Sequence, residues 1–134
     1  MAIQRIDNIG VAVRDVAKAA AFFAEALGLA TTVDLAGSPP SAQVSVGAQY
    51  LYLFQTTSQI APAGRGFDLV ANPQGLDHLS FTVDDIDQTY AELRDRGVAF
   101  AGEPQTVEAW GLRLVGFRDP DGNCYYLVQP IAPR

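Results

Sequence analysis

The chain repeats itself, and the repeat constrains its fold more than any single motif does. Residues 5–16 read Arg-Ile-Asp-Asn-Ile-Gly-Val-Ala-Val-Arg-Asp-Val, and residues 75–86 read Gly-Leu-Asp-His-Leu-Ser-Phe-Thr-Val-Asp-Asp-Ile. Aligned, Asp7 falls on Asp77, Val13 on Val83 and Asp15 on Asp85. Asn8 stands where the second copy has His78, the only histidine of the chain. A self-similar chain of this kind builds like supersecondary units, each opening on a strand that runs into a helix.

In the first copy, residues 3–13 pattern as a strand with Ile6, Asn8, Gly10 and Ala12 on one face. Asp15 offers a side-chain oxygen to the open amides of a helix start. Ala19, Ala20, Phe23, Ala26 and Leu27 then recur at helical spacing, and Gly28 closes the helix. Residues 31–36 suit a short strand, Gly37-Ser38-Pro39-Pro40 a turn, and residues 43–46 and 49–54 a hairpin around Gly47-Ala48. The second copy follows the same order. His78–Val83 is a strand, and Asp84 or Asp85 caps a helix with Ile86, Tyr90 and Leu93 on one face, closed by Gly97. Residues 98–108 hold one or two short extended pieces broken by Gly102 and Pro104. Leu112–Phe117 and Cys124–Val128 flank the turn Asp119-Pro120-Asp121-Gly122-Asn123. Residues 56–74, rich in Thr, Ser, Gln, Pro and Gly, read as a linker or pocket-edge loop.

Composition narrows the function classes. With 134 residues, 49% of them hydrophobic, the chain suits one compact domain or two small modules sharing a core. No apolar run is long enough to cross a bilayer, and the start Met1-Ala2-Ile3-Gln4-Arg5 lacks the regions of a secretory signal. Cys124 is the only cysteine, so no intrachain disulfide forms and a reducing cytoplasm is the expected compartment. A net charge of −6 without a basic cluster argues against nucleic acid and against anionic membrane.

The duplicated strand–helix–three-strand pattern, Gly75-Leu76-Asp77-His78-Leu79-Ser80-Phe81, and Asp119-Pro120-Asp121-Gly122-Asn123 leading into the last strand together carry a resemblance. The chain resembles the vicinal oxygen chelate superfamily of glyoxalase I, extradiol dioxygenases, fosfomycin-resistance enzymes and bleomycin-resistance proteins. The resemblance spans nearly the whole chain. It implies an α+β fold: two βαβββ modules, residues 1–55 and 75–134, with curved mixed sheets enclosing a pocket. It also implies a homodimer.

In metal-binding members, the first and last strand of each module supply side chains that hold one divalent ion. Matched position by position, that set falls here on Asn8, Tyr52, His78 and Tyr126. Only His78 is a ready ligand for zinc, iron, nickel or manganese. Asn8 offers a neutral amide, and a phenol of pKa about 10 stays protonated at neutral pH. Asp7 and Asp77 are adjacent to two of these positions, but strand alternation aims successive residues at opposite faces. Glu103 and Glu108 have nothing in the sequence to aim them inward. No metal and no other cofactor is therefore expected, with a divalent ion as the minority alternative.

Plainer readings stand beside these. Tyr52 and Tyr126 are ordinary strand aromatics by propensity. Trp110, before Gly111, is either a pocket wall or a core anchor. Cys124 is expected to pack, and Asp119 and Asp121 to form the turn.

Three functions follow. The first is a metal-independent binding protein that sequesters a hydrophobic or aromatic drug or natural product, with Asn8, Tyr52, His78, Trp110 and Tyr126 as ligand-binding residues. The second is a metal-independent acid–base isomerase, lyase or cyclase acting on a carbonyl compound, with His78 as base and Tyr52 or Tyr126 donating to an oxyanion. The third is a divalent-metal lyase or dioxygenase. No Ser-His-Asp or Cys-His spacing supports covalent catalysis. Residues 56–74 are expected to shape selectivity at the pocket mouth.

Overall fold

The computed structural model describes residues 2–132. The chain divides into two compact units, one ending at Ile60 and the other beginning at Ala61. Both are α+β, each built on a curved mixed sheet.

In the first unit, β1 (Asn8–Val13) leads through a helix to β2 (Thr31–Asp34), β3 (Ser41–Val46) and β4 (Gln49–Gln55). The sheet order is β1-β4-β3-β2, with β1 parallel to β4 and the other pairs antiparallel. Gly47, at φ 58, turns the β3–β4 hairpin where expected. Helix α1 (Val16–Ala21) begins as predicted: the Asp15 carboxylate accepts from the Lys18 amide at 3.1 Å. The Gln55 side chain, at the far end of β4, accepts from the Val16 amide at 3.1 Å. Val16, Ala19 and Ala20 are buried, as are Ala42, Val44, Leu51 and Leu53 on the strands that α1 packs against.

Two expectations shift. The α-helix does not run to Leu27. It widens into a π turn over Phe22–Ala26, where the Leu27 amide bonds the Phe22 carbonyl, before Gly28 closes it at φ 72. Apolar spacing did not distinguish the wider turn, because Phe23 is buried in it just as a regular helix would bury it. The strand expected from residue 3 begins only at Asn8. Its partner β4 starts at Gln49, one residue beyond the Asn8–Tyr50 pair, so β4 offers no strand partner to residues 3–6. Ile3 and Ile6 are accordingly 83% and 62% exposed.

The second unit repeats the plan. Strand β5 (Leu79–Thr82) is followed by helix α2 (Ile86–Asp95), β6 (Ala99–Phe100), β7 (Gln105–Val107), β8 (Leu112–Arg118) and β9 (Cys124–Pro130). The order is β5-β9-β8-β6, with β7 also on β8, so β6 and β7 are one strand broken at Gly102–Pro104. Again the first strand is parallel to the last. Asp85 accepts from the Gln88 amide at 3.1 Å, and Gln129 accepts from the Ile86 amide at 2.9 Å, reproducing the Asp15 and Gln55 contacts. Phe117 and Tyr125 stack at 5.3 Å under Phe81 and Phe100, forming the core beneath α2. His78, expected inside the strand, lies just before it: the β5–β9 pairing opens at Leu79 and Tyr125.

Asp119 holds the turn into β9. One carboxylate oxygen accepts from the amides of Asp121 and Asn123, the other from Asn123 Nδ2 at 2.9 Å and Tyr125 Oη at 2.7 Å. Burial, followed by the Asp119 charge, pushes the Tyr125 phenol far above its usual range, so it donates and does not ionise. Replacing a buried, fully used acceptor leaves its donors unpaired. Asp119→Ala should therefore cost about 3 kcal/mol in urea unfolding, and Tyr125→Phe about 1 kcal/mol. Equal stability of Asp119→Ala and wild type would show that the turn folds without this carboxylate.

Candidate functional site

In each unit the helix covers one face of the sheet, so strand alternation assigns the candidate residues to the other. In the second unit that free face carries Ser80 and Thr82 on β5, Tyr126 and Val128 on β9, and Leu114 and Gly116 on β8, with Tyr126 paired to Ser80 and Gly116.

His78 is held by its neighbour. Asp77 Oδ2 lies 2.7 Å from His78 Nδ1, while Asp77 Oδ1 accepts from Arg65 Nη1 at 2.9 Å and Asn72 Nδ2 at 2.8 Å. The bond to His78, then those from Asn72 and Arg65, hold the Asp77 carboxyl below its ordinary value, with desolvation opposing them. An ionised Asp77 places the proton of a neutral His78 on Nδ1 and leaves Nε2 as an acceptor. Arg65 also donates to the Pro73 and Gln74 carbonyls, and Asn72 brackets Gly66 through both its amide atoms. Part of the segment read as a linker or pocket-edge loop is thus fastened around Asp77.

Tyr126 meets His78 edge-on at 4.6 Å between ring centroids, and Phe67 edge-on at 5.5 Å. Its side chain is buried, and that burial, followed by the Asp77 charge, raises the phenol above its usual range. Tyr126 is therefore a neutral donor, not a phenolate. Arg118 lies over the Phe67 ring at 5.1 Å, its guanidinium fixed by the Arg65 and Gly122 carbonyls at 2.7 and 2.8 Å. Cys124 is buried, which pushes its thiol up and leaves it no nucleophile.

In the first unit, Asn8 Nδ2 donates to Asp7 Oδ2 at 3.0 Å, the same neighbour contact that Asp77 makes to His78. Tyr52 is half-buried, paired in register with Gly10 and Gln43, and stacked on Phe54 at 5.7 Å. Trp110 occupies a 3-10 turn before Gly111 and is 58% exposed, so it is not a core anchor.

The structure thus brings His78 and Tyr126 into contact within the second unit, and sets Asn8 and Tyr52 on one face of the first. It adds Asp77, Arg65, Asn72, Phe67 and Arg118, none of which the sequence reading placed at the site. The alternation argument set Asp77 aside, but alternation does not govern residues that precede the strand. The legible signal was Gly116, a glycine inside a strand, which marks a close approach.

The donor set is poor for a divalent ion. The first unit offers an amide and a half-buried phenol, and the second a buried phenol whose ionisation is disfavoured and a single imidazole. Among the described residues no three His, Cys, Asp or Glu side chains cluster to hold one. These residues do not fit the metal that the resemblance implies.

Residues 5–124 match the family model described as the Glyoxalase/Bleomycin resistance protein/Dioxygenase superfamily. The uncharacterized protein YetH of Bacillus subtilis (strain 168) is 32% identical over 95% of this chain and 99% of its own length. Among solved structures, TnmS3 of Streptomyces sp. CB03234, an antibiotic binding protein, is 30% identical with a TM-score of 0.69, covering 97% of this chain and 98% of its own. A superfamily member from Sphaerobacter thermophilus DSM 20745 is 26% identical with a TM-score of 0.70, covering 96% and 99%.

The Asp77 clasp has a pH signature. Folding lowers this pKa, so the clasp contributes stability above the ordinary carboxylate value of 3.8 and loses it as pH falls through the lower folded value. In urea unfolding at a series of pH values, Asp77→Asn should be less stable than wild type near neutrality, and the gap should close below that range. A gap independent of pH would rule out the ionised clasp.

Proposed function

This chain belongs to the glyoxalase/bleomycin resistance protein/dioxygenase superfamily, and from that premise we propose that it is a metal-independent protein that binds and sequesters an aromatic small molecule. One observation carries the reading: His78, oriented by Asp77, is set against the Tyr126 ring, itself edge-on to Phe67. This arrangement offers ring faces, one acceptor at His78 Nε2 and one donor at Tyr126, which suits recognition of a flat compound bearing a hydroxyl or amine. The likeness to TnmS3, an antibiotic binding protein, supports the same class of ligand. Trp110 joins the proposed ligand-binding set of the second unit, and Asn8 and Tyr52 are the proposed ligand-binding residues on the free face of the first. The protein in this reading acts as a cytoplasmic homodimer, without nucleic-acid or membrane partners. No helix among the described residues is long and apolar enough to cross a membrane.

The Asp77–His78 bond favours a second reading. It leaves Nε2 as a base beside a phenol donor, as an isomerase, lyase or cyclase acting without metal requires. One experiment separates the two. The protein is incubated with a panel of polycyclic phenols and quinones, affinity is read by tryptophan quenching, and the compounds are recovered for mass spectrometry. A sequestering protein returns its ligand unchanged, is indifferent to chelator, and loses about fivefold in affinity in His78→Gln, the worth of one neutral hydrogen bond. Conversion of the compound, abolished in His78→Gln while binding persists, would make it an enzyme.

A further inference from the structure

A glycine in the interior of a strand weakens it and leaves backbone bare, so it calls for something that needs the room. Gly116 lies within β8, buried, paired with Tyr126 on β9 and flanked by Val115 and Phe117. A Cβ added there would run into the Phe67 ring. The same ring meets the Tyr126 edge at 5.5 Å and lies under the Arg118 guanidinium at 5.1 Å. Backbone floor, aromatic wall and cationic cap are each what an aromatic ring requires.

We propose that Gly116, Tyr126 and Arg118 form a seat for an electron-rich aromatic ring, and that Phe67 is its resident occupant and sets which ligands enter by displacing it. The proposal deepens the binding reading above and rests on it for the claim that a ligand uses this face.

The floor and wall belong to β8 and β9, held in the central pairing of the sheet, whereas Phe67 belongs to a segment outside the sheet. Arg118 is tied through Nη1 to Gly122 in the turn before β9 and through Nη2 to the Arg65 carbonyl, so main-chain carbonyls, and not the Phe67 ring, hold the cap. The cap also defines the ligand. A guanidinium attracts the negative face of a ring, which favours neutral phenols, naphthols and indoles and disfavours cationic heteroaromatics. The seat adjoins His78 through their shared neighbour Tyr126, so a ring placed there lies beside the oriented imidazole.

The test uses 2-naphthol, followed by its own fluorescence, with N-methylquinolinium as a cationic comparator of similar size. Phe67→Ala should bind 2-naphthol about tenfold tighter than wild type, the worth of one aromatic pair released from competition. Adding Gly116→Val to that variant should remove the gain by filling the floor. The comparator should gain less than 2-naphthol. Phe67→Leu, which keeps most of the packing, should show the same gain at smaller size, and it carries the prediction if Phe67→Ala fails to fold. Equal binding by wild type and both Phe67 variants, a gain that survives Gly116→Val, or an equal gain for the cation would overturn the seat. Should wild type bind a panel compound while the Phe67 variants change nothing, the seat falls and the binding reading stands. Should the variants bind 2-naphthol while wild type binds no panel compound, the seat stands and the binding reading falls.

Discussion

The parallel pairing of first and last strand in each unit is the constraint on which the rest depends. Parallel neighbours cannot be joined by a tight turn, so the chain must cross over, and here it does so with a helix that lies on one face. That single choice sorts the side chains. On β1, Ile9, Val11 and Val13 go to the helix side with Leu51 and Leu53, while Asn8, Gly10 and Ala12 share the free side with Tyr50, Tyr52 and Phe54. In the second unit the same rule sends Phe81, Phe117 and Tyr125 to the core and Tyr126 to the free side. Gln55 and Gln129 lock the arrangement, each reaching from the end of the last strand to the first amide of the helix.

On this shared frame the units diverge at the free face. The first keeps an Asp7–Asn8 contact and a run of half-buried aromatics opposite Gly10. The second replaces Asn8 with His78, fastens the preceding acid with Arg65 and Asn72, and brings Phe67 down onto Gly116. An acid beside an amide only orients it. An acid beside an imidazole also fixes which nitrogen accepts, and so gives the second unit a directional polar group that the first lacks.

The fold was legible because its determinants are local and duplicated: the caps at Asp15 and Asp85, the turn at Gly47, the helix ends at Gly28 and Gly97. The start of the first strand was overextended, since a strand ends where its partner ends and apolar residues such as Ile3 and Ile6 do not report that. At the candidate site, His78 and Tyr126 were proposed by position, and their rings meet. Asp77 was set aside by a rule that holds only inside a strand. Phe67, Arg65 and Arg118 were out of reach because their partners lie far along the chain, as in the Arg118–Arg65 contact, and no local pattern encodes such a meeting. The π turn shows the limit of periodicity, which sees a buried face but not the width of the turn that buries it.

Net charge and local charge point to different ligands, and distance decides between them. A chain of net charge −6 weakly steers cations from afar. That long-range field is screened over about 8 Å in physiological salt. The Arg118 guanidinium, by contrast, lies 5.1 Å from the centre of the ring it covers and is held by two main-chain carbonyls. A ring in that position feels the cation directly and the remote acids hardly at all. A neutral, electron-rich ring gains from the cap, while a cationic ring meets like charge at contact distance. Asp77 does not reverse this, because its oxygens are already committed to Arg65, Asn72 and His78. At the proposed seat, the arginine and not the overall charge of the chain would set the ligand class.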